Sequence, residues 1–123
     1  MVERRILTPS AEHPIGIEPN PRRVVVRAGD RVIADTRGAL ALREVAYPTV
    51  QYIPREDVDM SLLVRSQHTT YCPYKGDAGY FSLGLLGDKG ENAVWTYEKP
   101  YAAVAQIAGH LAFYPDRVSI IEE

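Results

Sequence analysis

Short β-branched and apolar runs, each closed by a glycine- or proline-bearing turn, recur along this chain and leave no room for a fold built on long helices. Arg22–Arg27 and Arg31–Thr36 are two such runs, joined by Gly29-Asp30, where glycine supplies the positive φ of a type II′ hairpin turn. Ala39–Val45 alternates Leu40 and Leu42 with Ala41 and Arg43, the pattern of a half-buried strand with Arg43 turned away from Leu42. Tyr47-Pro48 turns the chain into a further short strand over Thr49–Ile53. Pro54 opens one or two helical turns over Arg55–Leu63, with Glu56 and Asp57 in a favourable first turn.

The second half repeats the theme. Ala78–Leu86 and Asn92–Tyr97 read as partner strands around a turn at Gly87-Asp88-Lys89-Gly90. Leu111–Tyr114 and Arg117–Ile121 flank Pro115-Asp116 as a final hairpin. One helix is expected at about 100–109, with Tyr101, Val104, Ala105, Ala108 and Leu111 on one face and Gly109 at its C-terminal cap. The resulting expectation is a mainly β, antiparallel domain, two-sheet or partly open and barrel-like, with one C-terminal helix and a short helical turn near 55–63. No strand–helix alternation supports a doubly wound parallel sheet.

Residues 8–21 carry four prolines, which forbid a helix and favour an extended arm. Ile15 and Ile17 alternate, as a segment lying on a sheet edge would. The chain therefore divides into an arm over 1–21 and a single mainly β domain over 22–123, within the 123 residues of one domain. A net charge of −2, with ten arginines against nine acids before residue 66 and four cations against seven acids after it, offers no basic footprint for nucleic acid. No apolar run is long enough to span a bilayer, and no signal-peptide core follows Met1. One cysteine allows no internal disulfide, so a cytoplasmic setting is expected. Oligomeric state is not legible.

Chemistry concentrates in His68–Tyr80, which reads as a rigid loop between two strands and holds the lone Cys72, Lys75, two glycines and three tyrosines. A neighbouring cation, Lys75 or His68, lowers a thiol pKa, which makes Cys72 a candidate nucleophile; a small buried hydrophobe is the competing reading. Lys75-Gly76 suits an anion, with a solvated turn lysine as the alternative. Glu44 and Asp57 are the best-placed carboxylates for proton transfer. Arg43, Tyr52, Thr70, Lys75, Tyr80 and Trp95 are the expected ligand-binding residues, because tyrosine and tryptophan supply apolar walls with polar tips. No metal site is expected: His68 and Cys72 lack further ligands unless carboxylates complete the set, since the only other histidines, His13 and His110, form no ligand-like pair. Nor is a cofactor expected: hydrolase elbows, zinc-protease motifs and dinucleotide fingerprints are missing.

Four stretches together carry a resemblance: Tyr52-Ile53-Pro54-Arg55-Glu56-Asp57-Val58, Thr70-Tyr71-Cys72-Pro73-Tyr74-Lys75-Gly76-Asp77-Ala78, Ala93-Val94-Trp95-Thr96-Tyr97 and Ala112-Phe113-Tyr114. From about His13 to Val118 the chain resembles the small bacterial domain-of-unknown-function family numbered four-two-seven. The resemblance implies a compact mainly β domain and no established activity. A nucleotidyltransferase label sometimes attached to that family finds no support in the residues, because Lys75 is followed by Gly76-Asp77 rather than by a Lys-x-Asp-Gly motif. Two functions are then in competition. One is a small-molecule pocket around Thr70–Tyr80, whether or not enzymatic, for an anionic or carbonyl-bearing metabolite. The other is a non-catalytic interaction or structural module with the Cys-Pro-Tyr-Lys-Gly segment as a rigid corner.

Overall fold

A computed structural model describes residues 4–123; of the expected N-terminal arm, residues 1–3 lie outside the described residues. Ten strands dominate: β1 Ile15–Pro19, β2 Val24–Ala28, β3 Arg31–Thr36, β4 Leu40–Glu44, β5 Val50–Tyr52, β6 Leu63–Cys72, β7 Gly76–Leu83, β8 Val94–Thr96, β9 Leu111–Phe113 and β10 Ser119–Glu122. Among the described residues they form three antiparallel sheets, in the orders β1-β4-β5, β10-β2-β3 and β6-β7-β8-β9, and none closes into a barrel. The β2–β3 turn has Gly29 at φ 59, the positive dihedral that the hairpin demands.

The four-stranded sheet carries both cores. Val94, Leu111, Phe113, Phe81 and Leu83 pack with Val24, Val26 and Ile33 of the β2–β3 sheet. Tyr80, Trp95 and Ala112 pack instead with Leu42, Tyr52, Ile15 and Ile17 of the β1-β4-β5 sheet. Neighbouring residues such as Val94 and Trp95, or Leu111 and Ala112, thus point into opposite clusters because side chains alternate along a strand. Two faces in need of cover explain why β9 is apolar and buried throughout.

Several local expectations are redrawn. His68–Tyr80 is no loop: it forms most of a hairpin, with β6 and β7 paired from Leu63↔Leu83 to Cys72↔Gly76. Pro73-Tyr74-Lys75 alone makes the turn, and Gly76 at φ 108 lets so short a connection re-enter the ladder. The C-terminal helix is a 3-10 segment over Ala102–Ile107, kinked at Val104. Val104 and Ile107, the fully buried pair, lie three apart and so stack on one edge of a three-residue turn. Gly109 does follow it at φ 72, donating its N–H to the Tyr97 carbonyl. The Gly87–Gly90 turn sits inside a 3-10 segment, Gly84–Gly90. Short helical turns at Arg55–Asp57 and Met60–Leu62 stand where Pro54 foretold them.

The final hairpin does not form. β9 already pairs with β8, and the Ile53↔Leu111 bridge occupies its other side. With both edges taken, Pro115-Asp116 carries the chain to a different sheet, where β10 pairs with β2.

Candidate functional site

Three local rules bring the site together. On β4 the parity of Leu40 and Leu42 continues to Glu44, so its carboxylate points inward while Arg43 points out. On β8 the parity of Trp95 continues to Tyr97, and Trp95 stands directly across from Tyr80 on β7. The β6–β7 turn delivers Lys75 at the end of the same hairpin, its N–H bonded to the Cys72 carbonyl at 3.2 Å and its own carbonyl accepting from Tyr101 N–H at 3.0 Å.

These side chains line a cavity of about 590 Å³ between the β1-β4-β5 sheet and the four-stranded sheet. That volume lies within the range of small-molecule sites. Tyr47, Tyr52, Tyr80, Trp95, Tyr97, Phe113 and Tyr114 supply its rings, and Ile120 and Glu122 of β10 reach one side. The Trp95 indole N–H donates to the Tyr52 hydroxyl at 3.2 Å, with the two rings edge-to-face at 89°. Tyr114 also packs on Trp95, ring centroids 4.5 Å apart. The Thr70 and Tyr80 hydroxyls share a 3.0 Å hydrogen bond.

Lys75 is only 7% exposed. Its ammonium donates to Glu44 Oε1 at 2.5 Å, and lies 3.8 Å from Cys72 Sγ. The second carboxylate oxygen of Glu44 is bonded to His13 Nε2 at 2.7 Å. His13 in turn stacks on Tyr74, centroids 3.9 Å apart and planes within 3°. Burial pushes the Glu44 carboxyl upward, but the hydrogen bonds from Lys75 and His13 outweigh it and hold the group below the ordinary glutamate range. Burial raises Tyr52 and Tyr97 well beyond an ordinary phenol. Burial and the Tyr80 hydroxyl raise Tyr114 to about 12. The hydroxyls of Tyr52, Tyr97 and Tyr114 are therefore neutral donors and acceptors at physiological pH.

Of the residues expected from sequence, Glu44, Lys75, Tyr52, Tyr80 and Trp95 line one cavity. Thr70 and Cys72 stand just behind it, through Tyr80 and Lys75. Arg43 is elsewhere: it is exposed, pairs with Glu18 at 3.2 Å and lines a shallow groove on the other face of its sheet. Asp57 is also elsewhere, accepting from the Thr36 hydroxyl at 2.7 Å. His68 contacts the edge of Tyr80 outside the main cavity. His13 is the functional-looking residue that sequence reasoning passed over. It has the parity of Ile15 and Ile17, the two residues that signalled sheet contact, and that signal was enough to aim it inward. Among the described residues, no group of three or more His, Cys, Asp or Glu is placed to hold a metal ion.

A small antiparallel β domain with an aromatic-walled cavity and a buried lysine–glutamate pair at its edge is the class that fold and site define. Residues 16–123 match the family described as a domain of unknown function, DUF427, and the chain belongs to that family. No curated protein matches it. Among the described residues no helix is long and apolar enough to cross a membrane.

Proposed function

We propose that this domain binds a small molecule in the cavity between the β1-β4-β5 sheet and the β6–β9 sheet. The observation that carries the reading is the convergence of Glu44, Lys75, Tyr52, Tyr80 and Trp95, distant in sequence, on a single aromatic-walled recess of about 590 Å³. Such a recess combines apolar area for affinity with a few fixed polar groups for orientation. The hydroxyls of Tyr52, Tyr80 and Tyr114 would accept or donate to a ligand, and the rings would cover its apolar body. His13, Glu44 and Lys75 form a chain of proton-bearing groups at one edge of the recess. In an enzyme this chain would pass a proton to or from the bound molecule. Lys75 serves first to neutralise Glu44, so the anion-binding task that the sequence suggests for it competes with an ion pair already made.

A structural-corner reading has its own support in the turn. Lys75 is tied at both ends, by Glu44 through its ammonium and by Tyr101 through its carbonyl. A thermal-shift screen over neutral, anionic and cationic metabolites separates the two. A ligand that binds only the folded chain at a hundred times its dissociation constant adds about 2.7 kcal/mol. The pocket reading predicts at least one compound that raises Tm by several degrees and loses that effect in Trp95→Leu. If no compound raises Tm while substitutions in the Cys72–Gly76 turn still unfold the protein, the corner reading stands alone.

A further inference from the structure

Resting on the pocket reading, the charge and ring inventory of the cavity narrows its ligand: we infer that it takes a small organic cation, an alkylated or quaternary ammonium compound, rather than an anion.

Of the described residues lining the recess, only Glu44, Lys75 and Glu122 carry formal charge. Lys75 and Glu44 cancel each other in their buried pair. Glu122 remains, and of its carboxylate only Oε1 is engaged among the described residues, by the Asn20 side-chain amide at 2.8 Å. Among the described residues that line it, the recess therefore has one carboxylate without an ion-pair partner and no cation without one; Glu122 stands at its rim, shared with the groove that Arg22 and Arg43 line. Arg117, the cation that bears on Tyr114, spends its guanidinium on the main-chain carbonyls of Lys89 and Glu91 and does not line the recess.

Aromatic rings complete the case. Trp95 meets Tyr52 at 89° and Tyr114 at a tilt of 46°, so the rings form a corner rather than a flat stack. Electron-rich ring faces attract a cation within about 6 Å, tryptophan most strongly. An anion in the same place could accept from the phenol hydroxyls, but it would also meet those ring faces and the Glu122 carboxylate with no uncancelled cation to offset them. A metal ion is a poor fit as well, since hard cations require several oxygen ligands in place of rings. What suits rings plus a single carboxylate is a positive charge wearing an apolar skin.

Choline and its uncharged carbon isostere, dimethylbutanol, have the same shape and differ only in charge, so titration calorimetry of both isolates the inference. Choline should bind at least about tenfold more tightly than the isostere, a difference within reach of one desolvated cation–ring contact. Glu122→Gln, at an exposed position that carries no core contact, should weaken choline several-fold and leave the isostere unchanged. Equal binding of the two probes, or binding of benzoate without choline, would overturn the cationic assignment and leave the pocket standing. Silence from choline, the isostere and benzoate alike, together with an unresponsive thermal-shift panel, would remove the pocket and this inference with it.

Discussion

Lys75 and Glu44 meet with side chains only 8% and 14% exposed, so their attraction acts in a poorly screened setting and each depends on the other for its charge to be tolerated. Lys75→Met should therefore cost about 3 kcal/mol, the low end for breaking a buried pair, because Glu44 keeps its bond to His13. The double variant Glu44→Leu/Lys75→Met should cost less than the sum of the two single changes, a coupling that denaturant titration of all four proteins would read. Glu44 also sets a pH dependence. Its carboxyl binds a proton less readily in the folded chain than at the ordinary glutamate value of 4.5. The unfolded chain therefore takes up that proton first on acidification. The stabilisation is complete above about 4.5 and is lost as pH falls through the lower folded value. Glu44→Gln should make the acid arm of a Tm-against-pH curve shallower while leaving its slope above pH 5 unaltered. At this scale the sequence was half legible. Parity along Leu40, Leu42 and Glu44 announces an inward carboxylate, yet nothing local tells whether a turn lysine is solvated or buried. That is decided by Glu44, thirty-one residues away.

The elements follow turn chemistry where turns are local, and depart from it where strand edges compete. Gly29-Asp30 and Pro54 act within a few residues, and the hairpin and helical turn they signal are present. Pro115-Asp116 carries an equally good turn signal, but β9 has no free edge, and edge availability is a property of the assembled sheets. The glycines also differ in kind. Gly76 is required by its φ of 108, whereas Gly90 is required by space: a Cβ there would lie 1.9 Å from the Leu83 carbonyl oxygen. Gly90→Ala must push the Gly84–Gly90 segment off β7. It should cost well over the roughly 1 kcal/mol of a typical point substitution, measurable as a drop in the urea midpoint at unchanged m. Val45 adds strain beside the site, a β-branched residue held at φ 50 immediately after Glu44. Its N–H bonds to the Pro14 carbonyl, which ties the arm bearing His13 to the end of β4.

At the scale of the whole molecule, a single four-stranded sheet serves two cores, and the cavity opens in the one that is rich in tyrosine. One cluster is mostly aliphatic, built on Val24, Val26, Ile33 and Leu83 with Phe81 and Phe113. The other places Tyr52, Tyr80 and Tyr97 among smaller residues such as Ala78 and Ala112, and large rings whose hydroxyls need partners leave a recess rather than a sealed interior. The mainly β antiparallel class and the family were legible from strand runs, turn residues and four short stretches of sequence. How the strands divide among three sheets was not, because the apolar runs of β7, β8 and β9 record burial on both faces without saying which sheet covers which. The chain has one tryptophan, and Trp95 stands in the wall of the cavity. Its fluorescence therefore reports on occupancy with no other indole to confuse the reading. Titrating compounds that raise Tm should produce a saturable change in Trp95 emission with the same concentration dependence as the thermal shift. Compounds that stabilise the fold while leaving Trp95 emission untouched would contradict the account, by putting the binding site somewhere other than between these two sheets.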